Sequence, residues 1–198
     1  TRKPTIVSGP AVGAGGIAGI SAAGTAADAG ISAAGGGAWA RAVESANIFL
    51  AGARKKGVVI GQFRAGYLPG VWTEVKDFFE ALKKQCQPDL ILTHYGKDLH
   101  QDHRLISELT WNTFRNHLIL EYEIVKYDGD LGAPNLFVHL TEAIVRKKIQ
   151  TILKCFKSQK DKNWFTEDAF SSILRLRGLE SNAPGNHAEG YYSRKTVF

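Results

Sequence analysis

The sequence predicts a single α/β domain built on a mostly parallel sheet flanked by helices. Two short runs, "VVIG" at 58–61 and "PDLILTH" at 88–94, are rich in Val, Ile and Leu and read as buried strands. Between them "TEVKDFFEALKKQCQ" repeats its apolar residues at helical spacing, with Thr73 as the expected N-cap. Strand, helix and strand with short connections form a βαβ unit, and that unit requires parallel strands.

The remaining elements extend this plan. Thr5 to Ser8 reads as a first strand that runs into a Gly-rich zone. The segment "ARAVESANIFLAGARKKG" places apolar residues at 42, 43, 46, 49 and 50, then ends in a basic turn and Gly57, as a helix does. Val145, Ile149, Ile152, Leu153 and Phe156 give a later helix one apolar stripe, and "SRKTVF" is expected to close the chain as a strand. Phe78, Phe79, Trp111 and Phe114 are expected in the core. Such an arrangement is Rossmann-like.

Length and composition agree with one domain over 1–198: 198 residues, 44% of them apolar, suffice for a substantial core. A net charge of +6 favours anionic ligands weakly and falls short of a nucleic-acid arm. The basic run "VRKKIQTILKCFKSQKDKNW" reads as the solvated face of a helix. Cys86 and Cys155 fit no metal spacing and no disulfide framework, so reduced thiols and a cytoplasmic setting are expected. No uncharged stretch is apolar enough to span a bilayer, and none has the make-up of a signal peptide.

The chemistry concentrates in "THYGKDLHQDHR" at 93–104, with three histidines and two aspartates in twelve residues. His94 ends a strand, and ligands of open α/β sheets bind at the carboxyl ends of strands. His100 and His103, three apart, share one face of the helix that follows. Its N-terminal dipole disfavours imidazolium and keeps ring nitrogens available. Asp102 is placed to orient a ring, and Asp98 to cap the helix or tether a ring.

These residues, with "VVIGQFRAGYLP" and "LRLRGLESNAPGNHAEGYYSRK", resemble the LmbE-like/PIG-L family of zinc-dependent N-acetylglucosaminyl deacetylases from about Trp39 to the C-terminus. The resemblance implies hydrolysis of an N-acetyl group on a sugar-containing substrate by zinc-activated water. It also implies His103 on the zinc, His100 facing substrate with Asp102 orienting it, and Arg64 at the sugar-binding mouth. The family's A-H-P-D-D-E motif, which supplies the other two ligands and the general base, is replaced by "SGPAVGAGG". Ala11 and Ala14 stand at the ligand positions and Gly13 at the base.

That replacement belongs to a block, 11–38, with 11 Ala and 9 Gly and the near-repeat "AGISAAG" at 18–24 and 29–35. Either the chain is an inactive, sugar-binding relative, or the letters of this block do not give the true side chains. An intact mass of 21.6 kDa would decide for the former. A third reading takes Gly13, Gly15 and Ala18 as a dinucleotide fingerprint, but the acidic residue it needs is present only as Asp28, with no convincing strand before it.

Overall fold

The computed structural model describes residues 18–22, 30–33, 58–61, 63–88, 90–156 and 159–196. Among these residues seven strands form the sheet: β1 (Ala18–Ala22), β2 (Gly30–Ala33), β3 (Val58–Gly61), β4 (Leu90–His94), β5 (Leu118–Tyr122), β6 (Leu136–His139) and β7 (Ala188–Tyr192). Their order across the sheet is β3-β2-β1-β4-β5-β7-β6. Among the described residues four helices accompany them: α1 (Trp72–Lys83), α2 (Gln101–Thr113), α3 (Glu142–Cys155) and α4 (Glu167–Glu180).

The expected α/β sheet flanked by helices is present, and it is mixed in place of mostly parallel. Only β2–β3 and β4–β5 pair in parallel, whereas β1–β2, β1–β4, β5–β7 and β6–β7 are antiparallel. The two copies of the Ala/Gly near-repeat explain half of this. They pair with each other, Ala18 opposite Ala33 and Ile20 opposite Ile31, and so form two strands where the sequence suggested none. The βαβ unit expected from "VVIG" to "PDLILTH" therefore steps over β2 and β1, while β4, α2 and β5 make the direct unit, in register from Leu90–Leu118 to His94–Tyr122. The strand expected at Thr5–Ser8 and the helix expected at 40–57 lie outside the described residues.

Two boundaries differ from expectation. A 3-10 turn, Leu68–Val71, runs directly into α1, so Val71 takes the N-cap position without a side-chain bond and Thr73 falls inside the helix. The closing strand is β7, ahead of "SRKTVF". Beyond Tyr192 the described chain leaves the sheet, and Arg194 Nε meets Glu121 Oε1 of β5 at 2.6 Å.

The sheet separates two apolar layers. On one face Ile91 and Ile119 meet Phe79 and Leu82 of α1, and Leu105 and Leu109 of α2. Phe79 and Phe114 are buried, and Phe78 and Trp111 pack against that core. On the other face Leu92 and Tyr122 look across a cavity of about 510 Å³ toward Ile152 of α3 and Leu174 of α4. Gly178 lets α4 sit against the turn before β7, since a Cβ there would lie 2.2 Å from the Asn186 carbonyl oxygen. Cys86 is a free thiol, and burial pushes its pKa up. No helix among the described residues is long and apolar enough to cross a membrane.

Candidate metal centre

The strand ends of β4 and β5 bring the predicted histidines together. His94 closes β4, His100 is the N-cap of α2, and His103 lies in the first turn of that helix. Their rings form a pile: His94 and His103 stack with centroids 4.1 Å apart, and His100 and His103 with centroids 4.4 Å apart. His94 and His103 are buried, whereas His100 is half-buried.

Hydrogen bonds fix which nitrogen of each ring is free. His103 Nδ1 donates to Asp98 Oδ2 at 2.9 Å, which leaves the Nε2 lone pair for a metal or an acid. His100 Nδ1 accepts from the Asp102 amide at 3.3 Å, so its proton sits on Nε2 and can be donated. Both nitrogens of His94 are buried without a hydrogen-bond partner. Such orphaned buried groups are costly, at about 1–3 kcal/mol each, and a bound ion or water would satisfy them.

Asp98 tethers a ring and caps the helix start, as its place before the helix suggests, whereas the Asp102 carboxylate does not hold a ring. Asp98 Oδ1 accepts from the His100 amide at 2.8 Å, and its Oδ2 holds the His103 ring. Burial raises its pKa, but the His103 hydrogen bond and the charges of His103 and Lys126 outweigh that and hold it well below the usual carboxylate range. Asp102 turns the other way. Its carboxylate accepts from the Gly66 amide, and from the Leu68 amide at 3.1 Å, so it braces the loop carrying Arg64 instead of orienting a ring. Arg64 itself is exposed and lies over the Tyr67 ring, 3.7 Å from its centroid.

His94, Asp98 and His103 offer donor atoms within 4.8 Å of one another, a set of two imidazoles and a carboxylate in keeping with zinc. With both Asp98 oxygens already engaged, the free donors are His103 Nε2 and the His94 ring. The two rings lie 5° from parallel, so their in-plane lone pairs run side by side, and one ion held by both requires the His94 ring to turn. The residues thus fit zinc in kind, with Asp98 behind His103 in the usual carboxylate-histidine arrangement. Ala11, Gly13 and Ala14 lie outside the described residues.

Sequence reading missed three contributors: His94 as a donor, Lys126, which reaches Asp98 from the segment beyond β5, and Asp130, which holds Lys126. The uncommon sequence K-x-D-x-D at 126–130 was the one available signal.

Burial holds the His94 pKa well below its ordinary value, and burial lowers His100 likewise. Below about pH 6.5 the unfolded chain takes up protons that the folded chain refuses, so stability falls as the pH drops. For His94 the slope reaches at most about 1.4 kcal/mol per pH unit. Metal-free protein is expected to melt at a lower temperature at about pH 5 than at about pH 7.5, and equal melting temperatures would contradict the buried neutral ring.

Fold and cluster together define an α/β protein with a candidate imidazole metal centre at its strand ends. The sequence matches no family model, and no curated protein matches it significantly. Solved structures do match in fold. A conserved protein of Thermus thermophilus superposes with a TM-score of 0.61 at 18% identity, over 81% of this chain and 74% of that one. A triple mutant of a deacetylase of the teicoplanin biosynthetic pathway gives 0.58 at 18% identity, over 79% of this chain and 69% of that one. The N,N'-diacetylchitobiose deacetylase of Pyrococcus horikoshii, bound to an inhibitor, gives 0.56 at 20% identity, over 79% and 62%.

Proposed function

We propose that this chain is a hydrolase that removes the N-acetyl group from an N-acetylglucosamine-type substrate, with zinc as its cofactor. The observation that carries the reading is the His103 ring, anchored through Nδ1 to buried Asp98 with Nε2 left free, at the strand ends of a fold shared with deacetylases. His103 would hold the zinc, with the unpartnered His94 ring as the second imidazole. Zinc bound there supplies a Lewis acid and brings the pKa of water to about 7.

The chain's own groups position and polarise the substrate. His100, with its proton on Nε2, would donate a hydrogen bond to the amide oxygen as negative charge develops, and the leaving amine would take up the proton given up by the attacking water. Asp102 acts on the substrate side through the 64–68 loop, keeping Arg64 at the mouth where sugar hydroxyls would be met.

A second reading is favoured by Ala11, Gly13 and Ala14: a non-catalytic relative that keeps the cleft and binds an acetylated sugar. Gly13 cannot accept a proton, and neither alanine can bind zinc. Elemental analysis and an acetate-release assay on an N-acetylglucosamine derivative separate the two. About one zinc per chain with acetate released supports the hydrolase. Metal-free, inactive protein that still binds the sugar supports the second reading.

A further inference from the structure

We propose that Lys126 and Asp130 are positioning residues for the His103 ring and act on it through Asp98. The inference rests on the reading of His103 as a metal-holding residue, but its geometry stands on its own. Asp98 Oδ2 takes two donors, His103 Nδ1 at 2.9 Å and Lys126 Nζ at 3.2 Å. Lys126 is then gripped by Asp130, whose Oδ2 also accepts from the Leu99 amide at 2.7 Å. The side chains of Asp98, Lys126 and Asp130 are only 3%, 5% and 6% exposed.

Burial is what gives this chain of charges its consequence. Three ionised groups out of water hold one another strongly, and each is confined to the geometry that pairs it. Asp130 secures the backbone between β4 and α2 and the ammonium together. The ammonium then fixes the direction of the Asp98 carboxylate, and the carboxylate fixes the tautomer and plane of His103. Without Lys126 the Asp98 carboxylate loses the one lysine or arginine at salt-bridge distance among the described residues, and His103 Nδ1 loses a fixed acceptor. No other described loop supplies a charge to this carboxylate at salt-bridge distance.

The test uses the full chain with Lys126→Met, and Asp130→Asn as the milder variant should the first not fold. In metal-free protein the hydrogen-bonded His103 Nδ1 proton is expected as a downfield proton resonance, lost or broadened in either variant. Zinc affinity, measured by competition with a chelator, is expected to weaken by about tenfold or more. In an Asp98→Asn background Lys126→Met should add nothing further, because the lysine acts through that carboxylate. A folded variant that keeps the resonance and binds zinc within about twofold of the parent overturns the proposal. If the parent itself binds no zinc, the metal reading fails and the resonance alone decides the positioning role.

Discussion

Replacing His103 by glutamine is expected to lower acetate release by about a thousandfold, equivalent to about 4 kcal/mol of transition-state stabilisation. Zinc affinity should fall with it. Glutamine nearly preserves the volume of a ring packed between His94 and His100, so the fold should survive and the loss should be chemical. The companion variant His100→Ala separates the two roles. It removes a donor and leaves the proposed metal donors untouched, so turnover should fall by roughly a hundredfold or more while zinc content stays at the parent level. Retention of full activity in His103→Gln would remove the hydrolase reading, and loss of zinc in His100→Ala would mean that the two histidines have been assigned the wrong way round.

The site was half legible because half of it is local. His94, Asp98, His100 and His103 fall within ten residues, and strand-end position with helical spacing is enough to place them together. Asp102 shows where spacing misleads. Successive residues of a helix point about 100° apart, so a side chain next in sequence to His103 faces a different direction, here toward the Gly66–Leu68 amides. Asp98, in the irregular turn before the helix, has no such constraint and reaches the ring. Lys126 and Asp130 enter through a pairing of β4 with β5 that no local pattern encodes.

The same distinction holds for the fold. The Val, Ile and Leu runs of β3 and β4 announce themselves by composition, as does the apolar stripe of α3. β1 and β2 do not, because an Ala/Gly sequence carries little strand propensity and only pairing with neighbours makes it extended. The parallel rule for βαβ units holds for β3, α1 and β4, whose strands run the same way, yet it says nothing of the two strands inserted between them. The mixed sheet follows from those insertions.

Removing the Arg177 guanidinium is expected to cost about 3–5 kcal/mol of stability, the usual effect of leaving a buried charge without its partner. Arg177 is 2% exposed and bonds Glu123 twice, at 2.9 and 2.7 Å, Glu180 twice, at 2.8 and 2.7 Å, and the Gly132 carbonyl at 2.8 Å. Glu123 in turn accepts from the Tyr192 hydroxyl at 2.6 Å and the Gly132 amide at 3.1 Å. One side chain on α4 therefore ties together the end of β5, the last residue of β7 and the loop that carries Lys126 and Asp130. In Arg177→Met the Glu123 carboxylate keeps only neutral donors, and the melting temperature should fall by about 10 °C. Neutralising that carboxylate as well, in Arg177→Met with Glu123→Gln, should recover a substantial part of the loss, because the larger share belongs to the unpaired charge and the smaller to the contact itself. A single variant that melts within about 2 °C of the parent would show that water reaches Glu123 and that the network is not the clamp its burial implies. Loss of the clamp should also be felt at the candidate metal centre. Gly132 lies two residues from Asp130, so loosening that loop should weaken zinc binding without touching any residue that faces the metal.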